Sequence, residues 1–153
     1  MQALLRAGRK SYRLSAAGPL SIKHSWAYLP DVARTITALA AMQEQLPAFS
    51  VFHFKGYQLS FADLAEAIQT ASGRPVRKTH FPWVVIRLLS PFSAMFRGLI
   101  EMRYLWNQEI NLDQTKLVQT LNGKVPYTEP TVALLESGLV APSGGERIHS
   151  AIP

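Results

Sequence analysis

Cysteine is absent from the 153 residues, which removes disulfides, thiolate nucleophiles and cysteine metal sites together and makes a reducing, cytoplasmic compartment the simplest expectation. No uncharged run approaches the ~20 apolar residues that a membrane span needs. The most apolar region, 81–106, is interrupted by Arg87, Pro91, Arg97, Glu101 and Arg103, so neither a transmembrane helix nor a membrane partner is expected. Glycine is scattered. Only Gly144 and Gly145 are adjacent, and neither the dinucleotide fingerprint nor the P-loop can be built from such spacing. His-Glu-x-x-His and Gly-x-Ser-x-Gly are also missing, which excludes the helical zinc-protease and nucleophile-elbow signatures. The four histidines, His24, His53, His80 and His149, show no metal-ligand spacing. Aspartate is limited to Asp31, Asp63 and Asp113, each at an expected helix start where capping is the ordinary role. Glu101 and Glu109 have no spacing that marks them as an acid–base pair.

What is present is a core-forming composition, 48% hydrophobic against 17% charged, which fits one domain rather than a disordered tail. The net charge is +6 and its distribution is uneven. Residues 1–30 carry Arg6, Arg9, Lys10, Arg13 and Lys23 with no acid, and residues 74–103 carry six cations against Glu101. Neither segment interleaves aromatics in a stacking pattern, and zinc-finger and RNA-recognition signatures are missing, so a basic nucleic-acid binder ranks only as a third reading. The Arg-rich, acid-free first residues have the composition of a transit peptide but lack the apolar core of a secretory signal.

Pro30-Asp31 predicts a helix start capped by Asp31, with Val32, Ile36, Leu39 and Ala40 at helical spacing until Pro47 ends it. Segment 49–54, Phe-Ser-Val-Phe-His-Phe, is β-branched and aromatic between Pro47 and Gly56, which predicts a core strand. Ser60-Phe-Ala-Asp63 has capping-box spacing, and Phe61, Leu64, Ala65 and Ile68 form one stripe before Gly73 stops the helix. Residues 76–80 predict a short strand. A helical pattern from Pro82 meets Pro91 and should break there, as two helices or one sharp kink ending near Trp106. Two shorter helices follow, over 113–121 with Asp113 as cap and over 129–139. Two strands do not make a sheet that stands in water. Either residues 1–30 supply more, or a sheet comes from outside the chain.

Three stretches taken in order resemble one family. Trp26-Ala-Tyr-Leu-Pro-Asp-Val-Ala33 resembles the Asp-Val-Ala segment in the C-terminal half of extended short-chain dehydrogenases/reductases, the NAD-dependent epimerase/dehydratase family. Segment 49–73, with Leu59-Ser-Phe-Ala-Asp-Leu-Ala-Glu-Ala-Ile68, is similar to that family's next strand and its Leu-Ser/Thr-x-x-Glu-Leu-Ala helix. Leu112-Asp-Gln-Thr-Lys-Leu117 with Pro126-Tyr-Thr resembles its closing element, although the family's Leu-Gly is here Leu121-Asn122-Gly123. Pro82-Trp83 and Glu101-Met-Arg-Tyr-Leu-Trp106 are further points of likeness to a bacterial subgroup.

The resemblance implies an α/β (α+β-like) fragment, the C-terminal part of a Rossmann-type epimerase fold, mostly helical with two or three short strands. It divides the chain into a basic lead (1–23), a substrate domain (24–141) and a flexible tail (142–153). In the family a Rossmann half binds NAD or NADP and a Tyr-x-x-x-Lys pair transfers the proton. Tyr12, Tyr28, Tyr57, Tyr104 and Tyr127 are followed four residues on by Ala16, Val32, Phe61, Gln108 and Thr131, so the pair is missing, and neither catalytic nor cofactor-binding nor metal residues are expected in this chain. The resemblance places His24, Trp26, Tyr28 and Arg103 beside a small-molecule substrate. Sugar-nucleotide members carry an Arg before the aromatic, where this chain has Lys23-His24-Ser25, which turns the expectation away from such substrates. The implied partner is a separately encoded Rossmann half, or a second copy. The alternative to an inactive oxidoreductase half is a non-catalytic binding or assembly module.

Overall fold

A computed structural model describes residues 4–8 and 10–142. The basic lead forms strands. β1 (Leu5–Ala7) pairs antiparallel with β2 (Tyr12–Ala16), Leu5 opposite Leu14. β2 also pairs in parallel with β5 (Val76–His80), Tyr12 opposite Val76 and Ala16 opposite His80. A parallel neighbour requires a long crossover, and it is made by β3 (Lys23–Trp26), α1 (Leu29–Ala41), β4 (Tyr57–Ser60) and α2 (Phe61–Ser72). β3 and β4 form a separate antiparallel pair, with Lys23 opposite Ser60 and Trp26 opposite Tyr57. The chain then turns helical through α3 (Trp83–Leu89), α4 (Ala94–Glu101), a 3₁₀ stretch Met102–Asn107, α5 (Thr115–Thr120) and α6 (Pro130–Glu136). The architecture is α/β, with helix dominant and two small sheets, one of them mixed. Among the described residues no helix is long and apolar enough to cross a membrane.

The core is the meeting of β2 and α2. Alternation along β2 buries Tyr12, Leu14 and Ala16 on one face, and they meet the α2 stripe of Phe61, Leu64, Ala65 and Ile68, closed by Leu134 of α6 and by Val140. Tyr12 keeps its hydroxyl satisfied inside this cluster by accepting from the Ala141 amide at 2.9 Å. Residues 1–30 thus supply three of the five described strands, the first of the two sources that the sequence left open for a sheet.

Three sequence expectations are corrected. Segment 49–54 is not a strand: among the described residues it pairs with nothing, Phe49 is 84% exposed, and the strand lies beyond Gly56, at β4. Asp31 does not cap α1, which starts at Leu29 with Tyr28 as its N-terminal flank. Its carboxylate instead accepts from the Thr128 amide and hydroxyl, each at 2.9 Å, and from Arg34. The break at Pro91 occurs as expected, a 3₁₀ turn Ser90–Phe92 between α3 and α4. α5 and α6 occupy the cores of the two expected late helices. Asp113 is not the cap of α5, whose N-terminal flank is Gln114; it lies one residue earlier and accepts from the Thr115 amide at 2.9 Å. The expected flexible tail lies, from residue 143 onward, outside the described residues.

Candidate functional site

β3 carries two of the four side chains that the resemblance selected, His24 and Trp26. Its two-residue period puts His24 and Trp26 on the same face of the strand, and both line a pocket of about 250 Å³ with Ser25, Met102, Leu105, Trp106 and Ile110. The opposite wall is the 3₁₀ stretch Met102–Asn107, and Gly18 sets how close it comes. A Cβ at Gly18 would lie 2.2 Å from the Trp106 carbonyl oxygen, so only glycine lets that backbone approach. Gly56 does the same for β3: its φ is +61° and a Cβ there would lie 2.1 Å from the Trp26 carbonyl oxygen.

Ring packing holds the pocket in shape. His24 meets Trp106 edge-on at 5.3 Å and Phe61 at 6.0 Å, while Trp26 meets Phe61 at 5.9 Å. The Trp26 indole N–H donates to the Leu59 carbonyl at 2.9 Å across the β3–β4 pair, which fixes the ring. Ser25 donates its hydroxyl to the Ile110 carbonyl at 3.1 Å and accepts from Gln58 at 2.5 Å, so it is engaged structurally. His24 is 7% exposed, and its Nε2 has no partner among the described residues. Burial pushes this imidazole below its ordinary pKa of 6.5, leaving it neutral at neutral pH. The lining holds a neutral imidazole and an occupied hydroxyl but no carboxylate, lysine or arginine. It can hold a molecule, but it presents neither an acid–base pair nor an activated nucleophile.

Tyr28 faces a second, larger pocket of about 610 Å³, where it joins Tyr57, Leu64, Leu134 and Glu136, with Trp26 shared between the two. Its hydroxyl donates to Glu136 at 2.8 Å, and burial together with that carboxylate raises its pKa. Tyr57 donates to the Thr128 carbonyl at 2.6 Å and is pushed up to about 12, chiefly by burial and then by Asp31. Neither phenol is a ready proton donor. Arg103 lines neither pocket. It is exposed, its guanidinium 5.2 Å from the centre of the Trp83 ring. Met102, Leu105 and Trp106 enter the sequence reading only as part of a stretch of family likeness and Ile110 not at all; none was expected at the site, because their place in it depends on the contact at Gly18. Among the described residues no group of three His, Asp or Glu side chains is placed to hold a metal ion.

The fold and site define an α/β chain with a small, mostly apolar pocket on a two-stranded edge. No family model, curated protein or solved structure matches it.

Proposed function

We propose that this chain is the substrate-side half of an NAD(P)-dependent epimerase/dehydratase-like oxidoreductase, binding a small molecule without carrying the chemistry alone. The observation that supports this most is a coincidence of two independent choices: His24 and Trp26, selected by resemblance, form one wall of a concave pocket. Bound NAD or NADP would supply the hydride chemistry, and a separately encoded Rossmann half with Tyr-x-x-x-Lys would hold it. This chain's own residues shape and orient, with Trp26 and Trp106 as walls and the neutral His24 as a polar point of contact. A cytoplasmic setting goes with this reading.

The test reads the coding DNA upstream of this chain and co-expresses the neighbouring product. A co-purifying Rossmann half that binds NAD(P) only as a pair is the expected result. Purified chain that binds NAD or NADP by itself at micromolar concentration in calorimetry, or a neighbourhood without any such half, overturns it. A second reading, a non-catalytic binding or assembly module, is favoured by one fact: β1, β2 and α2 bury a core from this chain's own residues, without a borrowed sheet.

A further inference from the structure

The pocket between β3 and the Met102–Asn107 stretch is small. At about 250 Å³ it falls below the roughly 300–1,000 Å³ of sites that enclose drug-sized molecules, so a nucleotide sugar cannot be enclosed here. Its walls are two indoles, a thioether and two aliphatic side chains, with the His24 imidazole and the occupied Ser25 hydroxyl, and no side chain of the lining is charged. An ionised group entering it would give up part of its water and meet no counter-charge from the lining. His24 is different: its Nε2 is buried with no partner among the described residues, and a turn of the ring towards a ligand donor would give that nitrogen the hydrogen bond it lacks.

We propose that this pocket takes a small, uncharged aromatic molecule bearing a single hydroxyl or N–H group, its ring beside Trp26 and Trp106 and its polar hydrogen on the His24 imidazole. The inference rests on the reading that β3 faces the substrate, and it narrows that substrate to a class without phosphate or carboxylate. Lys23-His24-Ser25, where sugar-nucleotide members carry an arginine, is consistent with it.

The probes are 1-naphthol, 1-naphthalenesulfonate, naphthalene and UDP-glucose, titrated into the full chain at neutral pH while tryptophan emission is followed. Naphthol should quench saturably, the sulfonate should bind at least about tenfold more weakly, and UDP-glucose should not bind. His24→Phe keeps a ring in place but removes its hydrogen-bonding nitrogens. It should weaken naphthol about tenfold and leave naphthalene unchanged. Ile110→Trp, which fills the pocket, should abolish binding, whereas Val85→Asp on the distant exposed face of α3 should not alter it. Absence of saturable binding, equal affinity for the sulfonate, or loss of naphthol in Val85→Asp with retention in Ile110→Trp would each overturn the proposal. The readout needs neither nucleotide nor partner. Naphthol binding with no co-purifying Rossmann half would therefore remove the oxidoreductase reading and leave the ligand class standing.

Discussion

Asp31 shows how a charge can be buried without being catalytic. The residue is 1% exposed, and its carboxylate accepts from Thr128 N–H, Thr128 O–H and Arg34, tying α1 to the segment ahead of α6. The Arg34 side chain is 56% exposed, so solvent can take over its half of the pair but not the half that Asp31 and Thr128 make. Asp31→Ala, which strands the Thr128 amide, should therefore cost about 2–3 kcal/mol, and Arg34→Ala under about 1 kcal/mol. Denaturant midpoints of the two variants decide it, and equal losses would mean that the ion pair rather than the tether matters. His24 gives the pH counterpart. Burial depresses its folded pKa below 6.5, so the unfolded chain takes up its proton first as pH falls. The associated stability is full above 6.5 and drains away as pH drops through 6.5 towards the lower folded value. His24→Phe should flatten that part of the stability profile, and a proton NMR titration placing the imidazole at or above 6.5 would contradict the account.

Elements were legible where all their determinants are local. α2 is the clearest: Ser60 accepts from the Asp63 amide at 3.1 Å, Asp63 accepts from the Ser60 amide at 2.9 Å, and Gly73 ends the helix at φ +64°, each readable from spacing alone. Ser60→Ala should lower stability by about 1 kcal/mol in a thermal melt. The backbone and side-chain hydrogen bonds from Ser60 hold Asp63 below the usual carboxylate pKa. Its contribution is thus complete above the unfolded value of 3.8 and is lost as pH falls further. Asp63→Asn should leave a shallower acid limb than the parent has. Segment 49–54 was misread because strand propensity reports fit to a pleated, half-buried surface rather than a backbone preference. No neighbour among the described residues supplies that surface, and the Lys116 ammonium instead lies over the Phe52 ring, 4.9 Å from its centre. The pocket was half legible for the same reason. β3 shows its aromatics in sequence, while the opposing wall is brought in by a backbone contact at Gly18 that no spacing encodes. Arg103, expected with them, is drawn away to the Trp83 face.

At the scale of the whole molecule, the lead and the crossover close one side of the chain, and the α3–α4 region stays open. Ile86 is the one buried residue of α3, while Val84 is 74% exposed, Leu88 70%, and Phe92 at the Pro91 turn 87%. That is a contiguous apolar face of the kind single-domain chains seldom leave bare. From residue 67 to 100 the sequence has no acid, while Arg87 and Arg97 lie on the same two helices. Two copies meeting through this face would set Arg87 and Arg97 against their counterparts with only Glu101, at the far end of α4, to offset them, which weakens association and makes it salt-dependent. The expected behaviour is therefore a cooperatively folded core with a sticky flank. Light scattering should show concentration-dependent assembly that grows as salt screens the arginines, a hydrophobic dye should bind the native chain, and Leu88→Asp should reduce both without lowering the melting temperature, since Leu88 contributes nothing to the core. A dye-silent monomer at all salt concentrations would show that the face is covered by the chain itself. Assembly that dissolves as salt rises would show that charge pairing, rather than apolar contact, holds the copies together.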